Sequence, residues 1–542
     1  MTTSTESAIE VLKRNSRHLR GTLAEDLASP DLGFSKDGEH LLKLHGLYQQ
    51  KDRDLRGQNP PPILMLRGRI PGGRLTTAQY LAWDAVADHY GDGSLRLTTR
   101  QSVEIHGVLK GDVKATLQEL RAALLTTQGA CGDVVRNVTQ APNPWGRADL
   151  AALNAVVTQV SDHFKAKSNA YSEIWLDGEK VDVAAEQEPF FGETYLPRKF
   201  KIAVTKVGEN LIDLYTNDLG FAATYTGDAI DGYFVFAGGG MGMTHGNANT
   251  FPRLADELGW IPAAALIPVA EAVVASHRDL GNRSDRKLAR LKYVVARLGV
   301  EAFRVEVETR AGLTFEPRPL PPWKSTPILG WLPQVGGTWA YGLHTPSGRI
   351  AGSLKKALRA VISNHRLALQ VSPDQDLVLL GIQQNDREAI SALLEAAGAK
   401  TADALSARAL ACVALPLCSL AIAEAERSLP GILAPLRAAL IRHDRLDQAP
   451  VFRLTGCANG CARPYASELA LVGQSSGKYI LFVGGNSEGT RLAFPVQEKI
   501  AIEDLPVLFE TLVAAWAAKG TPGERFGDWA FRMGKALAGT IA

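Results

Sequence analysis

The chain has 542 residues, of which 46% are hydrophobic and 21% charged, and its 59 basic and 57 acidic residues leave a formal net charge of only +2. This composition is typical of a globular protein and excludes an intrinsically disordered chain, a collagen-like fibre and a small disulfide-rich domain. The length exceeds what one hydrophobic core usually covers, so we expect several domains, and the small net charge argues against a general nucleic-acid-binding protein.

The predicted elements begin with a polar, helix-prone arm over residues 1–61, which ends in the turn-rich sequence GQNPPP. A helix is predicted over residues 76–90, with Thr77 as its N-cap, then a strand–turn–strand over 95–108 and a second helix over 113–125. The most apolar stretch, residues 261–276, is too short to span a membrane and includes Glu271. The N-terminus has no apolar segment typical of a signal peptide, so we expect a cytoplasmic protein without membrane association.

The strand–turn–strand unit has a second copy further along the chain. PGGRL at residues 71–75 matches PSGRI at 346–350, and LRLTTRQSVEIHGV at 95–108 matches LQVSPDQDLVLLGI at 369–382. Two matches displaced by almost the same number of residues indicate an internal repeat, although strand–turn–strand patterns also resemble one another by chance. The first turn ends in the cationic Arg100 and the second in the acidic Asp374, which suggests that only the first copy faces an anion.

Four of the five cysteines lie close together in the C-terminal part of the sequence. Cys412 and Cys418 are separated by five residues, and Cys457 and Cys461 by three. Structural disulfides are rare in the cytoplasm, so these spacings favour a metal centre over four unrelated buried thiols. A 4Fe–4S cluster fits them somewhat better than a zinc site, whose cysteine pairs usually have shorter spacings.

Basic residues recur at predicted turns and strand ends in the N-terminal half. They are Arg67, Arg69, Arg96, Arg100, His106, Arg136, Arg198, Lys199 and Lys201. Strand periodicity places Lys199 and Lys201 on one face, where two ammonium groups repel each other unless an anion lies between them. By itself this pair is also typical of a solvated edge strand. All the basic motifs together favour a polyanionic cofactor and a small oxyanion substrate.

Taken together, these motifs resemble the sirohaem-dependent sulfite and nitrite reductase family over almost the whole chain, closest to the assimilatory sulfite reductase haemoprotein (beta) subunit. The resemblance implies an α/β (α+β) fold with a pseudo-two-fold duplication, in which ferredoxin-like half-domains and two larger α/β domains surround the sirohaem. The implied boundaries are an arm over 1–61, half-domains over 62–128 and 325–398, a sirohaem- and substrate-binding domain over 129–324, and a cluster-binding domain over 399–542.

The resemblance also implies roles for individual residues. Cys412, Cys418, Cys457 and Cys461 are implied to ligate a 4Fe–4S cluster, and Cys461 also to be the axial ligand of the sirohaem iron. Four residues are implied to bind and protonate the oxyanion: Arg67, Arg136, Lys199 and Lys201. Six are implied to hold the sirohaem ring and its carboxylates: Arg96, Thr98, Arg100, His106, Arg198 and Asn459.

The implied reaction is the six-electron reduction of sulfite to sulfide, which supplies sulfide for cysteine biosynthesis. Lys201 favours sulfite over nitrite, because related nitrite reductases tend to have Asn at that position and bound sulfite carries the larger negative charge. No dinucleotide-binding fingerprint follows a predicted strand, so we expect electrons from a separate protein. That donor is an NADPH-dependent flavoprotein or, alternatively, a ferredoxin. The alternative from another class is a non-catalytic protein with a structural zinc site.

Two residues depart from the expected family pattern. Cys131 lies outside the cluster set, and some ferredoxin-dependent members join a cysteine at this place to a tyrosine that matches Tyr48. A Tyr48–Cys131 thioether is therefore one hypothesis, and an ordinary buried thiol is the other. Glu104 occupies a position where we expect an amide, which puts its contact with the cofactor in doubt.

Overall fold

The computed structural model describes residues 6–167, 174–176, 179–181, 188–537 and 539. Parts of the predicted arm, of the predicted 129–324 domain and of the predicted last domain lie outside these ranges. The described strands form four five-stranded sheets and a two-stranded ribbon. Within the described ranges, every helix is too short or too polar to cross a lipid bilayer.

The N-terminal arm lies against the rest of the chain through a buried charge cluster. Lys13 is almost fully buried, donates to the carbonyl of Leu196 at 2.9 Å and pairs with Glu10 at 2.5 Å. The arm therefore docks on a later part of the chain, as its charged sequence requires. Its elements are α1 (Ala8–Asn15), α2 (Leu23–Ala28), α3 (Lys36–Leu42) and β1 (Leu47–Gln50).

The first half-domain follows the predicted order of elements. The N-cap of its first helix is Thr76 and not Thr77 as predicted, because the Thr76 hydroxyl and the Gln79 amide form a reciprocal capping box. The second helix ends at Ala122, three residues early, because Leu124 adopts a left-handed conformation. The elements are β2 (Ile63–Arg67), β3 (Arg74–Leu75), α4 (Thr77–His89), β4 (Leu95–Leu97), β5 (Val103–Val108) and α5 (Val113–Ala122).

A larger α/β unit comes next. Its sheet has the order β12-β11-β10-β9-β6, in which β6, β9 and β10 are parallel and the rest antiparallel. Its elements are β6 (Thr139–Gln140), α6 (Ala148–His163), β7 (Ile174–Leu176), β8 (Glu179–Val181), β9 (Ile202–Lys206), β10 (Leu219–Thr226), β11 (Ala229–Ala237), β12 (Asp256–Pro262), α7 (Leu266–Leu280), α8 (Leu291–Leu298) and α9 (Val300–Ala311).

Both units then recur in the second half of the chain. The second half-domain contains β13 (Gly330–Pro333), β14 (Trp339–Leu343), β15 (Arg349–Ile350), α10 (Gly352–His365), β16 (Ala368–Val371), β17 (Leu377–Ile382) and α11 (Arg387–Ala396). The second larger unit contains β18 (Leu410–Ala411), α12 (Leu429–Arg442), β19 (Phe452–Thr455), β20 (Leu469–Ser475), β21 (Lys478–Val483), β22 (Phe494–Ala501), α13 (Leu505–Lys519) and α14 (Phe526–Met533).

The predicted repeat is confirmed by the pairing of the two half-domain sheets, which exchange a strand. Their orders are β1-β2-β5-β4-β15 and β13-β14-β17-β16-β3, so the short β3 completes the second sheet and the equivalent β15 completes the first. Side chains from both halves form one hydrophobic core. The two half-domains are therefore parts of a single packed structure.

The backbone of the two copies also agrees at the matched positions. Gly73 and Gly348 have φ angles of 71° and 76°, and a Cβ at either position would lie within 2.5 Å of a carbonyl oxygen of the opposite copy. Gln101 and Gln375, with φ of 52° and 68°, each donate from their side-chain amide to a carbonyl of the other half. The same strained turn was therefore kept in both copies because it forms the contact between them.

Candidate active site

The two cysteine loops start from neighbouring parallel strands. Cys412 follows β18 directly, and Cys457 and Cys461 follow β19, so both loops leave the same edge of the sheet. The backbone N–H of Cys412 donates to the carbonyl of Leu454 at 3.2 Å, and the N–H of Gly456 donates to the Cys412 Sγ at 3.4 Å. Sheet topology thus brings together cysteines more than forty residues apart in sequence.

Electrostatics show that the four thiols share one region. Burial raises the pKa of the Cys412 thiol far above its usual range, and the neighbouring thiols raise it further, Cys461 most strongly. Burial and then Cys461 raise the pKa of Cys418 to about 11, and the same two causes raise that of Cys457. All four are free of disulfides. The thiols are therefore close enough to disfavour one another's ionisation, and a bound iron centre would stabilise them as thiolates.

Four cysteines in one region suit an iron–sulfur cluster, because each cysteine of a 4Fe–4S cluster binds a different iron. Among the described residues, no group of three or more His, Cys, Asp or Glu side chains is arranged to hold one metal ion.

The glycines beside the second cysteine pair are required by the packing of the protein itself. A Cβ on Gly456 would lie 2.4 Å from the carbonyl oxygen of Ala423, and one on Gly460 would lie 2.9 Å from the ring of Tyr465. The two glycines therefore allow the loops to pack on the protein's own backbone and side chains.

The cationic residues of the first half-domain share one face of its sheet. Arg67, Glu104 and Arg96 are direct neighbours across β2, β5 and β4. His106 lies two residues further along β5, and Thr98 lies two residues after Arg96, just beyond the end of β4, so the alternation places both on the same side. The alternate positions carry hydrophobic residues that are fully buried in the core. Strand periodicity thus gathers these predicted residues on a single surface.

The individual partners of these residues differ. Arg96 donates to Glu426 at 2.9 Å and to the carbonyl of Ala411 at 3.0 Å, next to the first cysteine. Thr98 accepts from two backbone N–H groups of its own turn. His106 bonds to Gln50 at 3.1 Å through Nδ1, whereas its buried Nε2 has no hydrogen-bond partner. The Nη1 of Arg198 lies 3.8 Å from the Oδ1 of Asp133.

Arg67 brings the two unusual residues Tyr48 and Cys131 together. Its Nη1 donates to the Cys131 Sγ at 2.9 Å, and its guanidinium carbon lies 5.9 Å from the centre of the Tyr48 ring. Burial raises the pKa of Tyr48 and the Cys131 charge raises it further, while Arg136 and Arg67 oppose this. All four side chains therefore meet at one place. Whether Tyr48 and Cys131 are covalently joined stays a prediction.

Lys199 and Lys201 belong to an internal part of the sheet. Phe200 forms a parallel bridge with Val135, and Lys201 immediately precedes β9, which lies between β6 and β10. The solvated edge-strand interpretation is therefore wrong. Both side chains are only partly exposed, and among the described residues neither ammonium has a hydrogen-bond or ion-pair partner.

The pKa of both lysines is held well below the usual range. Burial is the main cause for each; Arg198 and Arg136 then act on Lys199, and Arg100 and Arg290 on Lys201. Burial, followed by Arg136, also lowers the pKa of Arg100 to about 9. Cations are rarely placed so close without compensation, so this pattern indicates a site completed by an anion.

The cationic cluster and the cysteine loops face each other. The Cys461 charge raises the pKa of Lys201, and the Lys199 charge lowers that of Cys457. The hydroxyl of Thr99 donates to the carbonyl of Cys461 at 3.3 Å. The two groups that the sequence analysis placed in opposite halves of the chain thus border a common site.

Several residues at this site were not singled out from the sequence. Arg463 donates to Asp213, to Asp374 at 3.0 Å, and to the carbonyl of Thr99 at 3.3 Å. It therefore ties the Cys461 loop to the cationic turn and also to the acidic turn of the second copy. Its contacts join residues 89 to 364 positions apart, which explains why local sequence patterns did not indicate them.

A second supporting group holds the glycine-rich segment 238–243 beside the cysteines. The Lys292 ammonium is buried and donates to the carbonyls of Gly240 at 3.1 Å and Gly242 at 2.6 Å. The N–H of Met243 donates to the carbonyl of Ala458 at 3.0 Å, and the amide of Asn459 donates to the Cys457 Sγ at 3.5 Å. Asn459 thus contacts a cysteine directly.

The residues present fit the implied cofactors. The arginines of the cationic face and the His106 Nε2, which makes no hydrogen bond, suit a tetrapyrrole with many carboxylates, and the four thiols suit an iron–sulfur cluster. Arg96 and Arg100 already have protein partners, and they would share these partners with a bound carboxylate.

Comparison with known proteins agrees with this site. Residues 56–123 and 332–397 match the family described as the nitrite/sulfite reductase ferredoxin-like half domain, and residues 158–315 match the nitrite and sulphite reductase 4Fe-4S domain. The latter interval contains none of the five cysteines, so it corresponds to the first of the two larger α/β units.

Three relatives illustrate the similarity. The chain is 42% identical to the sulfite reductase (NADPH) hemoprotein beta-component of Myxococcus xanthus, over 97% of this chain and 96% of that protein. It is 41% identical to beta-component 2 from Klebsiella pneumoniae, with the same coverage, and 41% identical to the sulfite reductase (ferredoxin) of Synechococcus elongatus, over 97% and 89% of the two chains.

A solved structure shows the same fold. The Mycobacterium tuberculosis NirA protein superimposes with a TM-score of 0.81, over 98% of this chain and 97% of that chain, at 22% sequence identity. The predicted α/β fold with ferredoxin-like half-domains is thereby confirmed, and the chain belongs to the nitrite and sulfite reductase family.

Proposed function

We propose that this protein catalyses the six-electron reduction of sulfite to sulfide, with sirohaem and a 4Fe–4S cluster as its cofactors. The observation that carries the proposal is the pair of unpartnered ammonium groups, Lys199 and Lys201, facing the Cys457 and Cys461 loop. The similarity to proteins named sulfite reductase, over nearly the full length of each, supports the same substrate.

The proposed roles follow from the partners of each side chain. Lys199 and Lys201 hold the anion and donate protons from Nζ, because a lowered pKa lets a lysine release its proton readily. Arg136 orients the anion. When bound, the sirohaem and the cluster supply electrons one at a time. Each of the three oxygens leaves as water, so protons must be delivered beside the sulfur throughout the reaction.

The remaining site residues have proposed binding roles. Arg96, Thr98, Arg100, His106, Arg198 and Asn459 hold the tetrapyrrole, and Cys412, Cys418, Cys457 and Cys461 hold the cluster. Cys461 would also bind the sirohaem iron, and its exposed thiol is accessible for this. The domain boundaries after residues 61, 128, 324 and 398 stay proposals. The family matches of the half-domains, at 56–123 and 332–397, support them.

The proposed electron donor is a separate flavoprotein that oxidises NADPH, which the names of several relatives support. A ferredoxin is the second candidate, because a relative named for ferredoxin is almost equally similar. We place the reaction in the cytoplasm, where unpaired thiols such as these five persist.

One experiment tests the reaction without knowledge of the donor. Purified holoenzyme is assayed with reduced methyl viologen, and kcat/KM is compared for sulfite and nitrite. We expect sulfite to be the better substrate, together with sirohaem absorption and acid-labile sulfide. A much higher kcat/KM for nitrite would overturn the assignment of sulfite as the substrate. A colourless protein that contains zinc would overturn the whole proposal.

A charge variant tests the role of Lys201. Lys201→Asn should lower kcat/KM for sulfite about tenfold or more and that for nitrite less, because the Coulomb energy scales with the charge of the anion. Lys206→Asn is the matched control: Lys206 lies on the adjoining strand β9 and pairs with Asp149. Equal losses for both anions in Lys201→Asn would contradict the charge argument.

A further inference from the structure

Arg67 differs from the two lysines in that its guanidinium is already engaged by the protein. Its Nε donates to Glu104 Oε1 at 2.6 Å, its Nη2 pairs with the same oxygen, and its Nη1 donates to Cys131. Every nitrogen of the group has a partner, which leaves at most one hydrogen on each Nη for a ligand.

The pairing is built into the sheet. Glu104 lies directly opposite Arg67 across β2 and β5, and opposite Arg96 across β5 and β4. Its carboxylate is almost fully buried, and it also lies 3.8 Å from both Arg96 Nη1 and His106 Nε2. Surrounding cations, Arg67 first among them, outweigh burial and hold the pKa of Glu104 far below its usual range. It is therefore a fixed negative charge on an otherwise cationic face.

We propose that Glu104 is a specificity-determining residue, which weakens the attraction of Arg67 for the oxyanion and reduces the preference of the site for a dianion over a monoanion. This inference rests on the proposed function, because it assigns the oxyanion to the face formed by Arg67, Lys199 and Lys201. Glu104 acts through Arg67 and does not itself touch the substrate, so it is a positioning residue and not a catalytic one.

The expected effect depends on the charge of the ligand. Glu104→Gln keeps the shape of the side chain and removes one negative charge. The Coulomb energy gained by a sulfite dianion is twice that gained by a nitrite monoanion at the same place. If the sulfite Kd falls roughly fivefold, the nitrite Kd should therefore fall only about twofold.

The test measures binding separately from turnover. Oxidised holoenzyme is titrated with sulfite and with nitrite, and the change in sirohaem absorption gives each Kd; kcat and KM are then measured with reduced methyl viologen. Glu426→Gln is the matched control. Glu426 is also a largely buried carboxylate that pairs with two arginines, Arg96 and Arg349, but Arg67 is not one of its partners.

We expect tighter sulfite binding and a lower KM in Glu104→Gln, with a larger change for sulfite than for nitrite and less than a twofold change in Glu426→Gln. Unchanged or weaker sulfite binding, or equal shifts for both anions, would overturn the inference. If Glu104→Gln does not retain the cofactors, Glu104→Asp replaces it as the test variant. This change moves the carboxylate back by one methylene, so sulfite should bind more tightly by a smaller factor. Unchanged sulfite binding in Glu104→Asp would also overturn the inference. Failure of the unmutated enzyme to reduce sulfite would instead overturn the proposed function.

Discussion

Replacing Arg463 by methionine is expected to destabilise the protein and weaken the cluster loop. The Arg463 side chain is 7% exposed, and its two carboxylate partners, Asp213 and Asp374, are each 4% exposed. Removing one partner of a buried ion pair typically costs 3–5 kcal/mol, because the remaining charge stays buried without compensation. Methionine keeps much of the apolar volume, so the loss of charge dominates the effect.

The structure places this cost at the lower end of that range. Arg453 lies 3.6 Å from both Asp213 and Asp374, and Arg408 lies 3.6 Å from Asp374, so the two carboxylates would keep some compensation. We therefore expect a loss of about 3 kcal/mol in the free energy of unfolding. Since Arg463 is two residues from Cys461, the iron content of the purified protein should also fall.

The assay is urea unfolding followed by tryptophan fluorescence, together with iron and acid-labile sulfide analysis. Arg437→Met is the matched control: Arg437 and its partner Asp403 are 33% and 28% exposed. Such a pair contributes at most about 1 kcal/mol. Equal losses in the two variants, or an unchanged iron content in Arg463→Met, would refute the view that the buried network supports the cluster loop.

Three further predictions test other parts of the structure. Gly73→Ala should lower the free energy of unfolding, measured in urea, by about 2 kcal/mol or more, because the φ of Gly73 is 71° and the added Cβ meets a carbonyl oxygen. Gly111→Ala is the control: its added Cβ has free space, so the free energy of unfolding should change by less than about 0.5 kcal/mol. Burial lowers the pKa of His277 from 6.5 to about 4, so only the unfolded chain takes up this proton between those values. Stability should fall by about 3 kcal/mol from pH 6.5 to 4, and His277→Gln should flatten that slope; an unchanged slope contradicts the assignment. Finally, peptide mass spectrometry should show Tyr48 and Cys131 either as a linked pair lighter by two hydrogens, which supports the thioether, or as separate unmodified peptides, which ends that hypothesis.

The parts of the fold that depend on short sequence patterns were predictable. The cysteine spacings and the matched turns at 71–75 and 346–350 each lie within one local segment, so the sequence itself displays them. The strand periodicity that gathers Arg96, Thr98, Glu104 and His106 on one face is local as well.

Contacts between distant segments were not predictable in this way. The Arg463–Asp213 pair joins residues 250 positions apart, and the exchange of β3 and β15 between sheets depends on how two copies pack together. The need for a glycine at position 456 has the same origin, since the carbonyl of Ala423 that requires it belongs to the other cysteine loop. The hydrogen bonds of the Arg67 guanidinium likewise depend on Glu104 and Cys131, which lie in other segments of the chain.

The exchanged strands have a mechanical consequence. Each half-domain sheet ends in two residues borrowed from its counterpart, so the halves cannot hinge apart without breaking hydrogen bonds in two ladders at once. A six-electron reaction requires its substrate to stay in register through many successive transfers. The strand exchange holds the two half-domain sheets, and with them the cationic face of the first, in a fixed relative position during that sequence.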